Sequence, residues 1–288
     1  MRFENMLASD PDGHTARLNA HISHHAFDDI KVDLKVSEAR NILAYNVHSP
    51  IGCSVIAHQY MNVEMCEAAH RRAPAVATGI KRVHPDHFVF TYQGDGDLAS
   101  IGTAEIVHAA VRGENICAFF INNAIYGMTG GQMAPTTLIG QRATTAVLGR
   151  DAVRNGIPLR VAEMLATIDG AAYVERVSID SPAQIRKARK AIERAVETQQ
   201  KKLGLSFVEF LSTCPTNWGL TAPKSMEWVR ERMIRIILWA CLRNRRQSHD
   251  HNLEDDYRRI RRSGGPDKQR IGRASCRKEC RSRWSPYH

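Results

Sequence analysis

Two short polar segments contain the residues best suited to chemistry. Residues 94–97 have the sequence Gly-Asp-Gly-Asp, and residues 122–123 are two asparagines. Carboxylate and amide oxygens are hard ligands of the kind that Mg²⁺ prefers, and Mg²⁺ often completes its octahedral shell with phosphate oxygens. Glycines beside a carboxylate also allow the backbone to approach a phosphate group closely. The composition of these two segments therefore predicts a site for Mg²⁺ and a diphosphate.

Apolar runs before the two polar segments predict the strands that position them. Residues 88–93 and 116–121 are rich in aromatic and apolar side chains, which favour buried strands, and residues 98–112 between them predict a helix. A strand, a helix and a second strand in close succession form a βαβ unit with parallel strands. Because parallel neighbours end at the same edge of a sheet, we expect Asp95 and Asn123 to share one cation there. The N-terminus of the intervening helix would point its free N–H groups at the same place.

Later segments continue the alternation of strands and helices. Residues 172–178 predict a third strand, a helix is predicted from Pro182 to a stop at Gly204, and residues 207–211 predict a fourth strand. This alternation is typical of a parallel sheet with helices on its faces. We therefore expect an α/β fold.

The charge of the chain is concentrated at its end. The net charge is +10, and residues 229–288 carry all of it, with 17 Lys and Arg against 7 Asp and Glu. The body of the chain is therefore neutral and offers no general attraction to nucleic acid. We expect residues 1–50 to be irregular, residues 51–228 to form the binding domain, and residues 229–288 to be a basic tail, disordered or not native. The last residues of this tail resemble translated sequencing-adapter sequence; the alternative is a native basic arm for nucleic acid.

The apolar pattern and the cysteines set the expected compartment. The longest apolar run, residues 236–242, is far shorter than the roughly 20 residues that span a membrane. The N-terminal residues lack the apolar core of a secretory signal. The seven cysteines are an odd number in a long chain, which argues against a disulfide framework. We therefore expect a cytoplasmic protein without a membrane partner.

The two polar segments also resemble a known signature. A Gly-Asp-Gly loop followed one strand later by Asn-Asn is similar to the motif that binds thiamine diphosphate. Residues 93–105 and 122–137 resemble the β subunit of 2-oxoacid:ferredoxin oxidoreductases, and residues 77–86 and 211–219 do so as well. The Tyr-Gly-Met-Thr-Gly-Gly sequence at 126–131 is more similar to the 2-oxoglutarate branch of that family than to the pyruvate branch.

This resemblance implies an activity for the complete enzyme. The cofactors would be thiamine diphosphate and Mg²⁺, in a thiamine diphosphate-binding fold. The reaction would be oxidative decarboxylation of a 2-oxo acid, with 2-oxoglutarate favoured, in which coenzyme A takes the acyl group and ferredoxin takes the electrons. An α subunit is implied, because no residue here corresponds to the glutamate that activates the cofactor. The alternatives are a non-redox thiamine enzyme, such as a decarboxylase or carboligase, and a defective homologue without a cluster.

The resemblance also implies roles for residues of this chain. Asp95, the Asn123 side chain and the Ile125 carbonyl would hold Mg²⁺. The residues that would lie against the cofactor are Ser54, His70, Gly94, Gly96 and Asp97.

The sequence departs from the family at the cysteines that ligate a [4Fe–4S] cluster. Cys53 and Cys214 match two of the four cysteines, whereas Ser9 and Asp12 stand at the other two positions. Two thiolates do not make a four-thiolate site, so we predict no stable cluster. A second departure is Arg71, which stands where the family has a glycine.

Overall fold

The computed structural model describes residues 44–48, 64–237 and 241–244. The strands in these ranges are β1 Ala44–His48, β2 Glu64–Glu67, β3 Phe88–Gly94, β4 Cys117–Asn122, β5 Ala171–Ser178, β6 Leu205–Leu211 and β7 Cys241–Asn244. The α-helices are α1 Ala73–Val83, α2 Thr103–Val111, α3 Val161–Ala166, α4 Pro182–Gln200, α5 Pro215–Trp218, α6 Ala222–Trp228 and α7 Ile234–Ile236. Two π-helical turns, Asp97–Ile101 and Val229–Met233, precede α2 and α7.

One sheet contains all the strands described, in the order β2-β1-β3-β4-β6-β5-β7. Every neighbouring pair is parallel except β5 and β7, which are antiparallel. The expected α/β fold with a parallel sheet is therefore confirmed. In the register of β3 and β4, Gly94 lies opposite Ile121, so the polar segments that follow these strands meet at one edge.

The central strands are buried along their whole length because helices cover both faces of the sheet. The strands β4, β5 and β6 are buried at every position. One face contributes Phe90, Phe119 and Phe210 to a core that packs on α4. Alternate residues, such as Phe120 and Phe207, contribute to a second core on the opposite face, with α2 and α3. A parallel sheet covered on both sides requires such continuous apolar strands.

The helix α4 begins where its sequence predicts and ends at Gln200, shortly before the stop predicted at Gly204. The Ser181 side chain accepts a hydrogen bond from the Gln184 N–H, and Pro182 occupies the first turn. Beyond the helix, Gly204 has φ +127°, a value that only glycine adopts without strain.

The ends of the domain differ from those expected. Residues 1–50 are expected to be irregular, yet 44–48 form β1, which pairs with both β2 and β3. A strand of five residues is too short for its alternation to stand out from a polar background. The remainder of 1–50 lies outside the described residues.

The chain also remains folded beyond the boundary expected at 229. Val229, Met233 and Ile237 are buried together beneath Leu138, although Arg and Glu residues separate them in the sequence. Their spacing of four positions places them on one helical face, and the charged residues face solvent. The strand β7 then pairs with β5, and the compact unit ends at Asn244. Residues 245–288 lie outside the described part, so the disorder predicted for them stays a prediction.

No helix among the described residues is long and apolar enough to cross a membrane.

Candidate metal and diphosphate site

The two glycines of the loop after β3 have different surroundings. A Cβ atom on Gly96 would lie 3.1 Å from the Tyr126 ring, so a side chain at this position would displace that ring. The Tyr126 hydroxyl donates a hydrogen bond to Ser100 Oγ at 2.8 Å, which holds the ring in place. At Gly94, by contrast, a Cβ atom would meet nothing within 4 Å. The loop therefore leaves open space beside Gly94 at the end of the strand.

The Asp95 carboxylate is buried at the centre of this edge. Its Oδ1 accepts a hydrogen bond from the Gly96 N–H at 2.9 Å. Its Oδ2 accepts from the Ile125 N–H at 3.0 Å and from Thr136 Oγ1 at 3.1 Å. Burial raises the pKa of Asp95 to about 7, because these neutral donors only partly replace water around its charge. A cation at this carboxylate would stabilise its ionised form.

The Asn123 side chain converges on the same point. The Ile125 N–H is shared between Asp95 Oδ2 and Asn123 Oδ1, the latter at 3.3 Å. Within the ranges that the structure describes, the Ile125 carbonyl accepts no hydrogen bond and is available as a third oxygen ligand. The structure thus brings together the three residues expected to hold Mg²⁺. A buried carboxylate without a positive partner and two neutral oxygens fit Mg²⁺, although their binding of the metal stays a prediction.

A left-handed residue at Ala124 creates this arrangement. Ala124 has φ +57°, which costs an alanine roughly 1–2 kcal/mol. Its N–H donates to Asn122 Oδ1 at 3.0 Å, and its carbonyl accepts from Thr137 Oγ1 at 2.7 Å and Gln141 Nε2 at 3.0 Å. These side chains stabilise a turn that the backbone alone disfavours. The sequence does not reveal it, because Asn-Asn-Ala is compatible with many turns.

Asp97 has a different environment from Asp95. Its Oδ1 accepts a hydrogen bond from the Arg71 N–H at 2.6 Å, and its Oδ2 accepts from Gln93 Nε2. Both carboxylate oxygens are therefore engaged within the chain, and the residue is buried. Its expected role beside a diphosphate stays a prediction, and it would use the backbone rather than the side chain.

The bond to Asp97 connects the segment of His70 and Arg71 to the site. His70 is exposed and directly precedes Arg71, whose side chain is also exposed. Arg71 has φ +67°, so the position retains the left-handed backbone that a glycine would adopt easily. The cation turns to solvent and the backbone supplies the contact. Ser54 and Cys53 lie outside the described residues.

Cys214 is buried near the site as a neutral thiol. It packs with Ile125, and its Sγ accepts a hydrogen bond from Asn217 Nδ2 at 3.3 Å. Burial raises the pKa of this thiol, which disfavours the thiolate that a cluster requires. In the part of the chain that the structure describes, no group of three or more His, Cys, Asp and Glu residues could hold a metal ion. The described residues therefore do not form a cluster site, and the doubt about a [4Fe–4S] cluster stays a prediction.

Arg150 organises the long segment that supplies Thr136 and Thr137. This side chain is buried, and burial lowers its pKa. Its guanidinium donates hydrogen bonds to the carbonyls of Ala134, Pro135, Thr137, Asn155, Gly156 and Ile157. The sequence contains no local signal for this role, because the accepting groups are backbone atoms.

These observations define the class of protein. An open, mostly parallel sheet with a glycine-flanked aspartate at one strand end and an asparagine at the next is the arrangement at which α/β domains commonly bind phosphorylated ligands. Residues 50–210 match the family model described as the thiamine pyrophosphate enzyme, C-terminal TPP binding domain. The chain belongs to this family, which confirms the thiamine diphosphate-binding fold.

Named relatives lie within the group that the sequence resembles. The chain is 50% identical over 185 residues to ketoisovalerate oxidoreductase subunit VorA of Methanothermobacter thermautotrophicus, which covers 64% of this chain and 39% of that protein. It is 40% identical over 189 residues to 2-oxoglutarate synthase subunit KorB of Methanocaldococcus jannaschii, 65% of each chain. The resemblance to subunits of 2-oxo acid oxidoreductases is confirmed. The chain spans between about two fifths and two thirds of the length of these curated relatives.

A solved structure shows the same fold. The 2-oxoglutarate:ferredoxin oxidoreductase from Magnetococcus marinus, determined with 2-oxoglutarate, coenzyme A and succinyl-CoA bound, superposes with a TM-score of 0.63. The match covers 99% of this chain and 97% of that chain at 21% identity.

Proposed function

We propose that this chain is the thiamine diphosphate-binding β subunit of a 2-oxoacid:ferredoxin oxidoreductase. The observation that carries this proposal is the convergence of Asp95 and Asn123 on one backbone N–H at the edge of the sheet. Membership of the thiamine pyrophosphate enzyme family supports the identity of the cofactor. The names of relatives at 50% and 40% identity support the class of reaction.

Each residue of the site has a distinct task in this proposal. Asp95, Asn123 and the Ile125 carbonyl would hold Mg²⁺, while the space beside Gly94 would admit the diphosphate. When bound, thiamine diphosphate supplies the nucleophilic carbon and the electron sink that decarboxylation of a 2-oxo acid needs. Thr136 donates to Asp95 and so orients the carboxylate.

The names of the relatives support a substrate class and a set of partners. The sequence favours 2-oxoglutarate, whereas relatives with higher identity carry the name of a ketoisovalerate enzyme. We propose a 2-oxo acid and coenzyme A as substrates, ferredoxin as electron acceptor and an α subunit as partner. The cytoplasmic location stays a prediction.

Cofactor binding is the first test. The full chain is titrated with thiamine diphosphate by calorimetry, once with excess Mg²⁺ and once with a chelator. We expect saturable binding that requires the metal, because the diphosphate and Asp95 repel each other without a cation between them. Equal binding in the two titrations, or none in either, would contradict the proposal.

Activity is the second test. The chain is purified anaerobically with its α subunit, and coenzyme A-dependent reduction of ferredoxin is measured with 2-oxoglutarate and with ketoisovalerate. Reduction with either 2-oxo acid supports the oxidoreductase. Release of CO₂ without reduction of ferredoxin would instead indicate a non-redox thiamine enzyme. That second candidate is favoured by Ser9 and Asp12 at positions where cluster cysteines are expected.

A further inference from the structure

A buried carboxylate on β6 lies behind the metal turn. Glu209 is 1% exposed, although its neighbours in the strand are apolar. Its Oε1 accepts a hydrogen bond from Asn122 Nδ2 at 2.7 Å. Its Oε2 accepts from Arg176 Nε at 2.8 Å, and Arg176 also binds Glu163. The chain therefore connects a buried ion pair directly to the first asparagine of the Asn-Asn segment.

This contact determines which way the Asn122 amide faces. An ionised carboxylate only accepts hydrogen bonds, so Asn122 must present its NH₂ group to Glu209. The amide oxygen then faces the Ala124 N–H, to which it is hydrogen-bonded at 3.0 Å. The reverse orientation would place an amide oxygen against the carboxylate and an NH₂ group against an N–H. Glu209 thus selects the orientation of the Asn122 amide in which its oxygen accepts from the Ala124 N–H.

The orientation of the Asn122 amide affects the positions of the proposed metal ligands through the backbone of the turn. Ala124 is held in its left-handed conformation by the bond to Asn122 on one side and by Thr137 and Gln141 on the other. The next residue, Ile125, then directs its N–H between Asp95 and Asn123. A turn that lost the bond to Asn122 would populate other conformations and would separate these oxygens.

We infer that Glu209, paired with Arg176, is a positioning residue for the magnesium site, acting through the Asn122 amide on the turn at Ala124. Its hydrogen bonds described above go to Asn122 and Arg176 and not to Asp95, Asn123 or Ile125. The inference rests on the proposed function, since it assumes that Asp95 and Asn123 bind Mg²⁺.

The test begins with Glu209→Gln in the full chain. Arg176 Nε still requires an acceptor, so the new amide turns its oxygen to Arg176 and its NH₂ group to Asn122, which favours the Asn122 orientation that cannot accept from the Ala124 N–H. We expect the affinity for Mg²⁺, measured by calorimetry in a fixed excess of thiamine diphosphate, to fall about tenfold, the effect of one lost hydrogen bond.

Glu175→Gln is the matched control. Glu175 is likewise a buried strand carboxylate, paired with Arg194 at 2.9 Å, but it lies on β5 and contacts none of the turn residues. We expect it to lower the melting temperature without a change in Mg²⁺ affinity. A fall in affinity that is the same for both variants would show a general loss of stability and would overturn the inference.

Exchanging the two groups provides a rescue. Combining Asn122→Asp with Glu209→Gln conserves the charge and again leaves one orientation, because the carboxylate at position 122 accepts both from Ala124 and from the new amide. We expect the double variant to bind Mg²⁺ within about threefold of the wild type. Asn122→Asp alone places two carboxylates in contact and should bind Mg²⁺ more weakly than both the wild type and the double variant.

The outcomes separate this inference from the proposed function. A wild-type chain that fails to bind thiamine diphosphate with Mg²⁺ refutes the proposed function. Normal wild-type binding together with unchanged affinity in Glu209→Gln refutes only the role of Glu209. If Glu209→Gln does not fold, the double variant decides, and a loss of affinity greater than about threefold there overturns the inference.

Discussion

The loop after β3 and the turn after β4 meet at one edge of the sheet, but each buries a carboxylate in a different way. In the loop, Asp95 is surrounded by neutral donors, and burial raises its pKa to about 7. Behind the turn, Glu209 is paired with Arg176. A buried carboxylate with a positive partner is already neutralised, whereas one without a partner favours an added cation. The difference supports the proposed roles, in which Asp95 is the metal ligand and Glu209 positions the turn.

The largest expected effect comes from removing the Asp95 carboxylate, which has no positively charged partner. Asp95→Ala should weaken Mg²⁺-dependent binding of thiamine diphosphate by about 2–3 kcal/mol, because the proposed site has no other charged ligand. Calorimetry measures this loss. Thr136→Val removes only a donor to Asp95 and serves as the milder control. Equal affinity in wild type and Asp95→Ala would refute the assignment.

The raised pKa of Asp95 predicts a dependence on pH. Metal binding requires the ionised carboxylate, so the affinity for Mg²⁺ should fall about tenfold for each pH unit below about 7. Without metal, the stability of the fold changes with pH in the opposite direction to the Mg²⁺ affinity. A carboxyl whose folded pKa is raised contributes stability at low pH and loses it as pH rises through about 7. Calorimetry and thermal melting between pH 5 and 8 measure the two effects, and Asp95→Asn should abolish both.

The turn after β4 should also contribute to the stability of the fold. Thr137→Val removes the hydroxyl that donates to the Ala124 carbonyl and accepts from the Ala134 N–H. We expect a loss of about 1–2 kcal/mol in the free energy of unfolding, because a buried carbonyl and a buried N–H each lose a partner. Denaturant unfolding measures this change. An unchanged midpoint would show that Asn122 and Gln141 support the turn without Thr137.

The smallest effect is expected where the backbone is strained but exposed. Arg71→Gly should raise the free energy of unfolding by about 0.5–1 kcal/mol, since glycine relieves the left-handed strain but loses more entropy on folding. Lys202→Gly, at φ +54° and also exposed, is the matched control and should gain a similar amount. Thermal melting compares the two variants. A loss of stability at position 71 alone would show that the arginine side chain contributes to the fold.

The sequence predicts the centre of this fold better than its edges. The strands β3 to β6 and the helix α4 lie within a few residues of their predicted positions, because continuous apolar runs and helical spacing are strong local signals. The strand β1 and the helical segment from Val229 are not predicted. The strand β1 is short. In the segment from Val229, the many charged residues between Val229, Met233 and Ile237 make the apolar helical face difficult to recognise.

The site divides in the same way. The positions of Asp95 and Asn123 follow from where their strands end, whereas the partners of the turn come from distant parts of the chain. One signal could have revealed Glu209, because it is the charged residue of an otherwise apolar strand, whereas Arg176 follows another charged residue, Glu175, in β5. Such a residue must find a partner when it is buried.

Arg150 has a consequence for motion. The Arg150 guanidinium donates to carbonyls at both ends of the segment 134–157. If these hydrogen bonds broke one at a time, part of the buried guanidinium would be left without a partner. Although this segment contains no helix or strand, its amides should exchange with solvent hydrogen as one cooperative unit rather than as a fraying loop. The hydrogen bonds from Thr136 to Asp95, after β3, and from Thr137 to Ala124, after β4, would then form and break together.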